Sequence, residues 1–144
     1  MPVKPKPDRY HTVTPYLTVQ GVPRLVDFVK RAFDAQELER TSRPDGTIGH
    51  AEVRIGDSVV MMGEARAGSP PMPSTLYLYI SDTDATFKRT LAAGAAPLME
   101  PADQFWGDRN AAVKDPVGNH WWIATHKEDV SPREMARRAA AQMK

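Results

Sequence analysis

The chain has 144 residues, of which 41% are hydrophobic and 26% are charged, and its formal net charge at pH 7 is +1. This length suits one ordinary domain, and the balanced charge argues against the basic stripe typical of nucleic-acid-binding proteins. The absence of cysteine excludes disulfides, thiolate metal ligands and a cysteine nucleophile. No stretch approaches the ~20 apolar residues of a membrane span, so we expect a cytoplasmic protein that contacts neither nucleic acid nor membrane.

The first half of the chain predicts a strand, a helix and three further strands. Alternating residues at 15–20 indicate a strand, and the spacing of Leu25, Phe28, Val29 and Phe33 is helical. A Pro-Asp-Gly turn precedes the next alternating run. The predicted elements are a strand at 15–20, a helix at 22–33, and strands at 38–43, 48–55 and 58–62.

The second half predicts the same order after a linker that is poor in strand and helix formers. Asp82 or Asp84 can cap the helix, and Gly94 can end it. An irregular loop is expected to hold Phe105 to Arg109, and Ser131 is the predicted cap of a terminal helix. The predicted elements are a strand at 75–80, a helix ending at Ala93, strands at 97–100, 111–114 and 121–125, and a helix at 132–143.

The two halves therefore look like an internal repeat. Tyr-Leu-Thr-Val at 16–19 lies over Tyr-Leu-Tyr-Ile at 77–80, an offset of about 61 residues. We predict an α+β fold in which two βαβββ modules form a cupped mixed sheet; an unrelated domain with halves alike by chance is the alternative. The expected division of this single structural domain is a disordered leader at 1–10, a first module at 11–64, a linker at 65–74, a second module at 75–126 and a helical tail at 127–144.

Several strings in combination resemble the PhnB-like branch of the glyoxalase/bleomycin-resistance/dioxygenase (vicinal oxygen chelate) superfamily. They are PYLTV at 15–19, GHAEVRIGDS at 49–58, WGDR at 106–109, DPVGN at 115–119, WIATH at 122–126 and EDVSP at 128–132. The resemblance implies paired βαβββ modules, a cupped sheet with a ligand site and usually a homodimer. It leaves the chemistry open, because that superfamily contains lyases, isomerases, dioxygenases, thiol transferases and non-catalytic drug-sequestering proteins.

The resemblance also implies where a metal would bind, since the catalytic members place one His, Gln or Glu from each of four strands around a divalent ion. Strand alternation puts Thr14, Tyr16 and Thr18 of the first module, and Thr75, Tyr77 and Tyr79 of the second, on the face away from the helices. The expected ligand positions are then Thr14, Met61, Thr75 and Trp122. None of these is a usual donor for iron, zinc, manganese or nickel, so we expect no metal and no cofactor.

The same alternation predicts an aromatic ligand site. Aromatic rings offer large apolar contact at low entropy cost, and an arginine beside Asp108 offers a two-pronged hydrogen bond to an acceptor group. A small planar or aromatic ligand would suit such a cup; alternatively the rings fill the core and Arg109 pins a turn. Trp121 and Trp122 point opposite ways, so only one of them lines the cup. The predicted ligand-binding residues are Tyr77, Tyr79, Met61 and Trp122 within the cup and Phe105, Trp106 and Arg109 at its rim.

His50 and Glu52 are the candidate catalytic residues. They are two apart on a predicted strand and so share one face, where they could act as an acid and base pair or supply two metal ligands with His120 or His126 as the third. A polar pair on the open sheet face explains them equally well.

Three functions remain open at this point. The first, which we favour, is binding without catalysis, as in antibiotic sequestration or metabolite binding. The second is a lyase, isomerase or dioxygenase with a non-standard metal or a His50–Glu52 pair. The third is an interaction module that uses the arginine-rich tail. A homodimer is expected because two short modules leave sheet edges uncovered, with modules pairing within a chain or swapping between chains.

Overall fold

The computed structural model describes residues 2–143, which form two βαβββ modules followed by a helix. The predicted α+β class and the paired modules are confirmed. In chain order the elements are β1 (Tyr16–Val19), α1 (Val22–Phe33), β2 (Gln36–Ser42), β3 (Ile48–Ile55), β4 (Ser58–Glu64), β5 (Thr75–Tyr79), α2 (Thr83–Ala92), β6 (Ala96–Asp103), β7 (Asp108–Lys114), β8 (His120–His126) and α3 (Pro132–Gln142).

Each module carries its own four-stranded mixed sheet. Sheet 1 has the order β1-β4-β3-β2, and sheet 2 has the order β5-β8-β7-β6. The first strand of each module runs parallel to the last, and the other neighbours are antiparallel. Tyr16 lies opposite Met61, and Tyr77 lies opposite Trp122. The repeat read from the sequence is therefore also a repeat of strand register.

One hydrophobic core joins the two modules. The inner face of each sheet, meaning the face that packs on the helices, contributes Leu17 and Val53 from sheet 1 and Val113 and Trp121 from sheet 2 to a single buried cluster. The rings of Phe33, at the end of α1, and Trp121 lie 5.2 Å apart. Because both inner faces meet the same core, the two outer faces point away from each other.

The helices begin where capping chemistry predicts. The Asp82 carboxylate accepts from the Ala85 N–H at the start of α2, and the Ser131 hydroxyl accepts from the Glu134 N–H at the start of α3. The first helix is different, because Glu64 at the end of β4 accepts hydrogen bonds from the N–H groups of Gly21 and Val22. These hydrogen bonds connect the start of the first helix to the sheet of its own module. None of the helices among residues 2–143 has the length and apolarity to cross a bilayer.

Several strand bounds differ from expectation, since β2 begins at Gln36, β4 reaches Glu64 and β6 reaches Asp103. Two further differences bear on the site. Strand β7 begins at Asp108 rather than at 111, because Asp108 and Arg109 pair with His126 and Thr125 of β8. The expected irregular loop is thereby shortened, and Asp108 acquires a fixed side-chain direction. At the other end of the chain, part of the expected disordered leader contacts sheet 1, since Arg9 and Tyr10 donate hydrogen bonds to Glu52.

Candidate functional site

The outer face of sheet 2 carries a row of aromatic rings, which we call the aromatic face: Tyr77, Tyr79, Trp106 and Trp122 around Asp108. The Tyr77 ring stacks on Trp122 with centroids 6.3 Å apart and meets the edge of Tyr79 at 5.4 Å. Tyr79 is 64% exposed and Tyr77 is 41% exposed. Large aromatic side chains left this open on one face are typical of a surface that receives a partner or ligand.

Asp108 is the centre of this face. It is 2% exposed, and its Oδ2 accepts from the Tyr77 hydroxyl at 2.8 Å, the Tyr79 hydroxyl at 3.0 Å and the Trp106 indole N–H at 3.0 Å. Its Oδ1 lies 2.9 Å from His126 Nδ1. Burial alone would raise the pKa of Asp108, but the hydrogen bonds from His126 and the three aromatic donors lower it below the ordinary value. Asp108 is therefore an ionised, buried acceptor.

His126, the last residue of β8, links the aromatic face to the tail. Its Nε2 lies 2.7 Å from the Asp129 carboxylate, and the two carboxylates, Asp108 before Asp129, raise the pKa of the imidazole above its usual value. The sequence offered His126 as one possible third ligand beside His50 and Glu52. The structure makes His126 a bridge between a buried and an exposed carboxylate.

The loop before β7 places Trp106 beside Asp108. Gly107 has φ +103°, and a Cβ there would collide with the Glu128 carbonyl oxygen, so only glycine fits. The tail closes over this point, since Lys127 N–H donates to the Gly107 carbonyl and Arg138 of α3 donates to the Phe105 carbonyl. Phe105 meets Trp106 edge to face at 5.1 Å. Both rings thus lie on the loop that leads into β7, with the Trp106 indole N–H directed to Asp108.

Arg109 is not on the aromatic face. Alternation along β7 turns it to the helix side, where its guanidinium makes two bonds to Asp84 of α2, at 2.7 and 2.9 Å, and one to Asp103. The expectation that Arg109 meets an acceptor group of a ligand in the cup had assumed a loop conformation. Once Asp108 and Arg109 lie in a strand, only one of them can face the rings.

The remaining predicted cup residue, Met61, lies on the outer face of sheet 1. It is opposite Tyr16 in register and beside Thr14 and Tyr10 in a separate shallow depression. Because the outer faces of the two sheets point away from each other, one chain does not bring Met61 together with Tyr77, Tyr79 and Trp122.

The donor set at the four expected metal positions does not fit a divalent ion. Strand register pairs the first and last strands of each module as expected, and the outer-face positions there are Tyr16 and Met61 in sheet 1 and Tyr77 and Trp122 in sheet 2. Neither these residues nor Thr14 and Thr75 supply an imidazole or carboxylate. No catalytic step through a metal at these positions can be derived.

Sheet 1 nevertheless gathers three side chains that could ligate an ion, which we call the carboxylate cluster: Glu39, His50 and Glu52. One potential ligand atom from each lies within 4.8 Å of the others, and His50 Nε2 is 2.8 Å from Glu52 Oε2. The N-terminal segment already occupies the carboxylates, because Arg9 bonds both glutamates at 3.0 Å and the Tyr10 hydroxyl donates to Glu52. Burial would raise the pKa of Glu52, yet the bonds from Tyr10 and His50 and the charge of Arg9 lower it.

The edge strands β1 and β5 are not paired with each other. Within residues 2–143, each has a single strand neighbour, β4 and β8 respectively. A cleft of about 1020 Å³ runs beside both edges and is lined in part by Tyr16, Tyr77 and Tyr79. The second edge of β5 is thus open next to its outer-face aromatics, whereas on β1 the Thr18 carbonyl accepts a hydrogen bond from the Met72 N–H of the linker.

Sequence reasoning missed Asp108, Asn110 and His126 as members of one network. Asn110 donates to the Tyr77 hydroxyl at 3.2 Å and accepts from the Gln104 amide at 3.0 Å. The available signal was the alternation of Asp108, Asn110 and Ala112, which extends the predicted strand backwards by one period. It was hidden by the Trp-Gly-Asp run, which looks like a turn.

Comparison with known proteins agrees with this architecture. An uncharacterized protein from Mycobacterium tuberculosis (strain ATCC 25618 / H37Rv) is 37% identical over 134 residues, covering 85% of this chain and 79% of that protein. TioX from Micromonospora sp. ML1 is 28% identical and has a TM-score of 0.69, covering 81% of this chain and 98% of TioX. A glyoxalase/bleomycin resistance protein/dioxygenase family enzyme from Burkholderia phytofirmans PsJN, at 17% identity and TM-score 0.67, covers 78% of this chain and 96% of its own and shares the fold.

The family model that matches is the one described as Glyoxalase/Bleomycin resistance protein/Dioxygenase superfamily, and it spans residues 9–123, which include both modules up to the middle of β8. The chain belongs to the glyoxalase/bleomycin resistance protein/dioxygenase superfamily.

Proposed function

We propose that this chain is a metal-free small-molecule-binding protein whose aromatic face receives a flat, partly aromatic compound. The observation that carries the proposal is the row of Tyr79, Tyr77 and Trp122. Both tyrosines are exposed and anchored through their hydroxyls by Asp108, and Trp122 stacks on Tyr77. Anchored rings are preorganised, so they lose little entropy when a planar ligand stacks on them. Sequestration of an antibiotic or binding of an aromatic metabolite would use this surface, and membership of the PhnB-like branch is part of the same proposal.

The site is completed by a second copy of the chain. One chain turns its two outer faces apart, so an enclosed cup needs sheet 1 of a partner to cover sheet 2. The open edge of β5 supports such pairing, because edge strands with unpaired backbone groups are natural docking elements. In this homodimer the modules pair between chains, and Met61 of one chain approaches the aromatic face of the other. Light scattering after size exclusion is expected to give twice the 16.0 kDa mass of one chain; a monomer at micromolar concentration would contradict this assembly.

Ligand binding is tested by tryptophan fluorescence. Titration with a panel of flat aromatic antibiotics is expected to quench the emission, because Trp106 and Trp122 lie on the aromatic face whereas Trp121 is buried in the core. The Trp122→Phe variant should lose part of the quenching and keep its fold, and the exposed Leu91→Ala change on α2 should leave the titration unaltered. Absence of quenching by every compound would contradict the proposal.

Metal content separates binding from metal-dependent catalysis. Elemental analysis of the purified protein is expected to give less than about a tenth of an equivalent of any transition metal per chain. A folded site with fitting donors would retain its ion through purification, and the four expected positions lack such donors. A near-stoichiometric ion that disappears in Glu52→Gln would instead favour the second candidate function.

That second candidate is a lyase, isomerase or dioxygenase that uses the carboxylate cluster. The contact between His50 and Glu52 at 2.8 Å is the observation that favours it, because a carboxylate beside an imidazole orients a proton-transfer group. Against it, Glu52 is 4% exposed and is covered by Arg9 and Tyr10. A substrate would have to displace both residues.

A further inference from the structure

Three of the four hydrogen-bond donors of the aromatic face are directed into the protein, whereas the Trp122 indole N–H makes no hydrogen bond within residues 2–143. The Tyr77 and Tyr79 hydroxyls and the Trp106 N–H all donate to the same oxygen of Asp108. Asn110 directs its amide N–H to the Tyr77 oxygen. A phenol that donates inward presents its remaining oxygen lone pairs and its ring face outward. The surface therefore offers a ligand more acceptors and π faces than donors, of which the Trp122 N–H is the one left without a partner among residues 2–143.

The negative charge beneath the rings also favours a ligand that carries positive charge. A phenol hydrogen-bonded to an ionised carboxylate gains electron density, which makes its ring face more negative. Ring faces of tyrosine and tryptophan already attract cations through their quadrupoles. Asp108 lies buried behind Tyr77 and Tyr79 and is joined through His126 to Asp129, so the group keeps a net negative charge even when the imidazole is protonated.

The nearby cationic side chains are already paired. Arg109, the group that the sequence offered for an anion, is bound to Asp84 and Asp103 on the helix side. His126 is held between Asp108 and Asp129. An anionic ligand would meet lone pairs and ring faces without a counter-charge, and its desolvation would go uncompensated.

We propose that the ligand of the aromatic face is a planar organic cation or flat aromatic amine, whose charge lies over the adjoining rings of Tyr77 and Tyr79. The inference rests on the proposed binding function and names its ligand class. It replaces the acceptor-bearing ligand that Arg109 had suggested from the sequence. Recognition combines stacking on the ring row with donation of ligand N–H groups to the tyrosine oxygens.

Three probes that share one ring system test the charge preference: 9-aminoacridine, which is a cation at neutral pH, acridine, which is neutral, and acridine-9-carboxylate, an anion. Isothermal titration calorimetry of the full chain is expected to show 9-aminoacridine binding at least about tenfold more tightly than acridine-9-carboxylate, with acridine between them. High salt should weaken the cation selectively.

Variants at Tyr79 locate the effect, and its exposure makes both changes structurally tolerable. Tyr79→Leu removes the ring and should reduce the ratio of cation to anion affinity several-fold, whereas Tyr79→Phe keeps the ring and should retain most of it. Leu91→Ala on α2 is the control and should leave all three affinities unchanged.

Equal or tighter binding of the carboxylate would overturn the charge assignment and leave the binding function standing. A cation preference that survives Tyr79→Leu unchanged would also overturn it, because the cation would then lie elsewhere. If none of the three probes binds, the ligand class and the proposed binding function both fall.

Discussion

Replacing Asp108 with alanine is expected to lower the free energy of unfolding by about 3 kcal/mol, because a buried charged acceptor of several hydrogen bonds is removed and its donors are left behind. Tyr77, Tyr79, Trp106 and His126 would all lose their shared partner. The loss stays below the upper range for such networks, since the tyrosines are open enough to bond water instead. Urea unfolding followed by circular dichroism measures the change.

Two further aspartate variants sharpen this prediction. Asp108→Asn keeps an accepting oxygen and should cost roughly half as much as alanine, because neutral hydrogen bonds are weaker than charged ones. Asp103→Ala removes an exposed partner of Arg109 and should change stability by less than about 1 kcal/mol. If Asp108→Ala proved no more harmful than Asp103→Ala, the network would be a surface arrangement without structural weight, and the preorganisation argued for the aromatic face would fail.

Truncation of the neighbouring tryptophans of β8 should affect mainly stability at Trp121 and mainly ligand binding at Trp122. Trp121 is 0% exposed, packs on Phe33 and donates its indole N–H to Asp115 at 2.7 Å. Trp121→Ala is therefore expected to cost about 4 kcal/mol, a large share of the ~5–15 kcal/mol that holds a typical domain folded. The same unfolding titration measures it, together with loss of the near-ultraviolet signal from the core.

Trp122 stands one residue along the same strand and faces outward against Tyr77. Trp122→Ala is expected to cost only about 1–2 kcal/mol, as for a half-buried ring, while abolishing most of the response to planar ligands. A variant pair in which Trp122→Ala destabilised the fold more than Trp121→Ala would reverse the assignment of inner and outer faces. The binding and stability measurements on this pair thus test the site and the register together.

The two ionised carboxylates, Glu52 and Asp108, show that each outer face has a polar centre. Glu52 is covered by Arg9 and Tyr10 from the N-terminal segment, and Asp108 is covered by the aromatic residues of its own module. This difference explains why we assign ligand binding to sheet 2 and regard the carboxylate cluster as the basis of a second candidate only. The exposed rings can contact a ligand without any rearrangement, whereas the carboxylates of the cluster already accept hydrogen bonds from Arg9 and Tyr10.

Much of the fold, and the position of the aromatic residues of the site, can be predicted from patterns among residues close in sequence. The two-residue period of strands placed Tyr77 and Tyr79 together, separated Trp121 from Trp122, and put His50 on the same face as Glu52. Capping chemistry placed the start of α3 at Ser131 and limited that of α2 to Asp82 or Asp84, of which the structure uses Asp82. These features depend on residues close in sequence, which is why periodicity and composition were sufficient for them.

The tertiary structure alone decided how these faces are used. The start of β7 at Asp108 is set by pairing with His126 of β8, and that single shift in strand boundary turns Arg109 away from the rings. The Tyr77–Asp108 bond joins residues 31 apart, and no local pattern announces such a partner. The opposed outer faces likewise result from both sheets sharing one core. The sequence therefore determined two modules and their alternating faces, while long-range packing and hydrogen bonding decided which faces stay open, which charges are paired and where a ligand can bind.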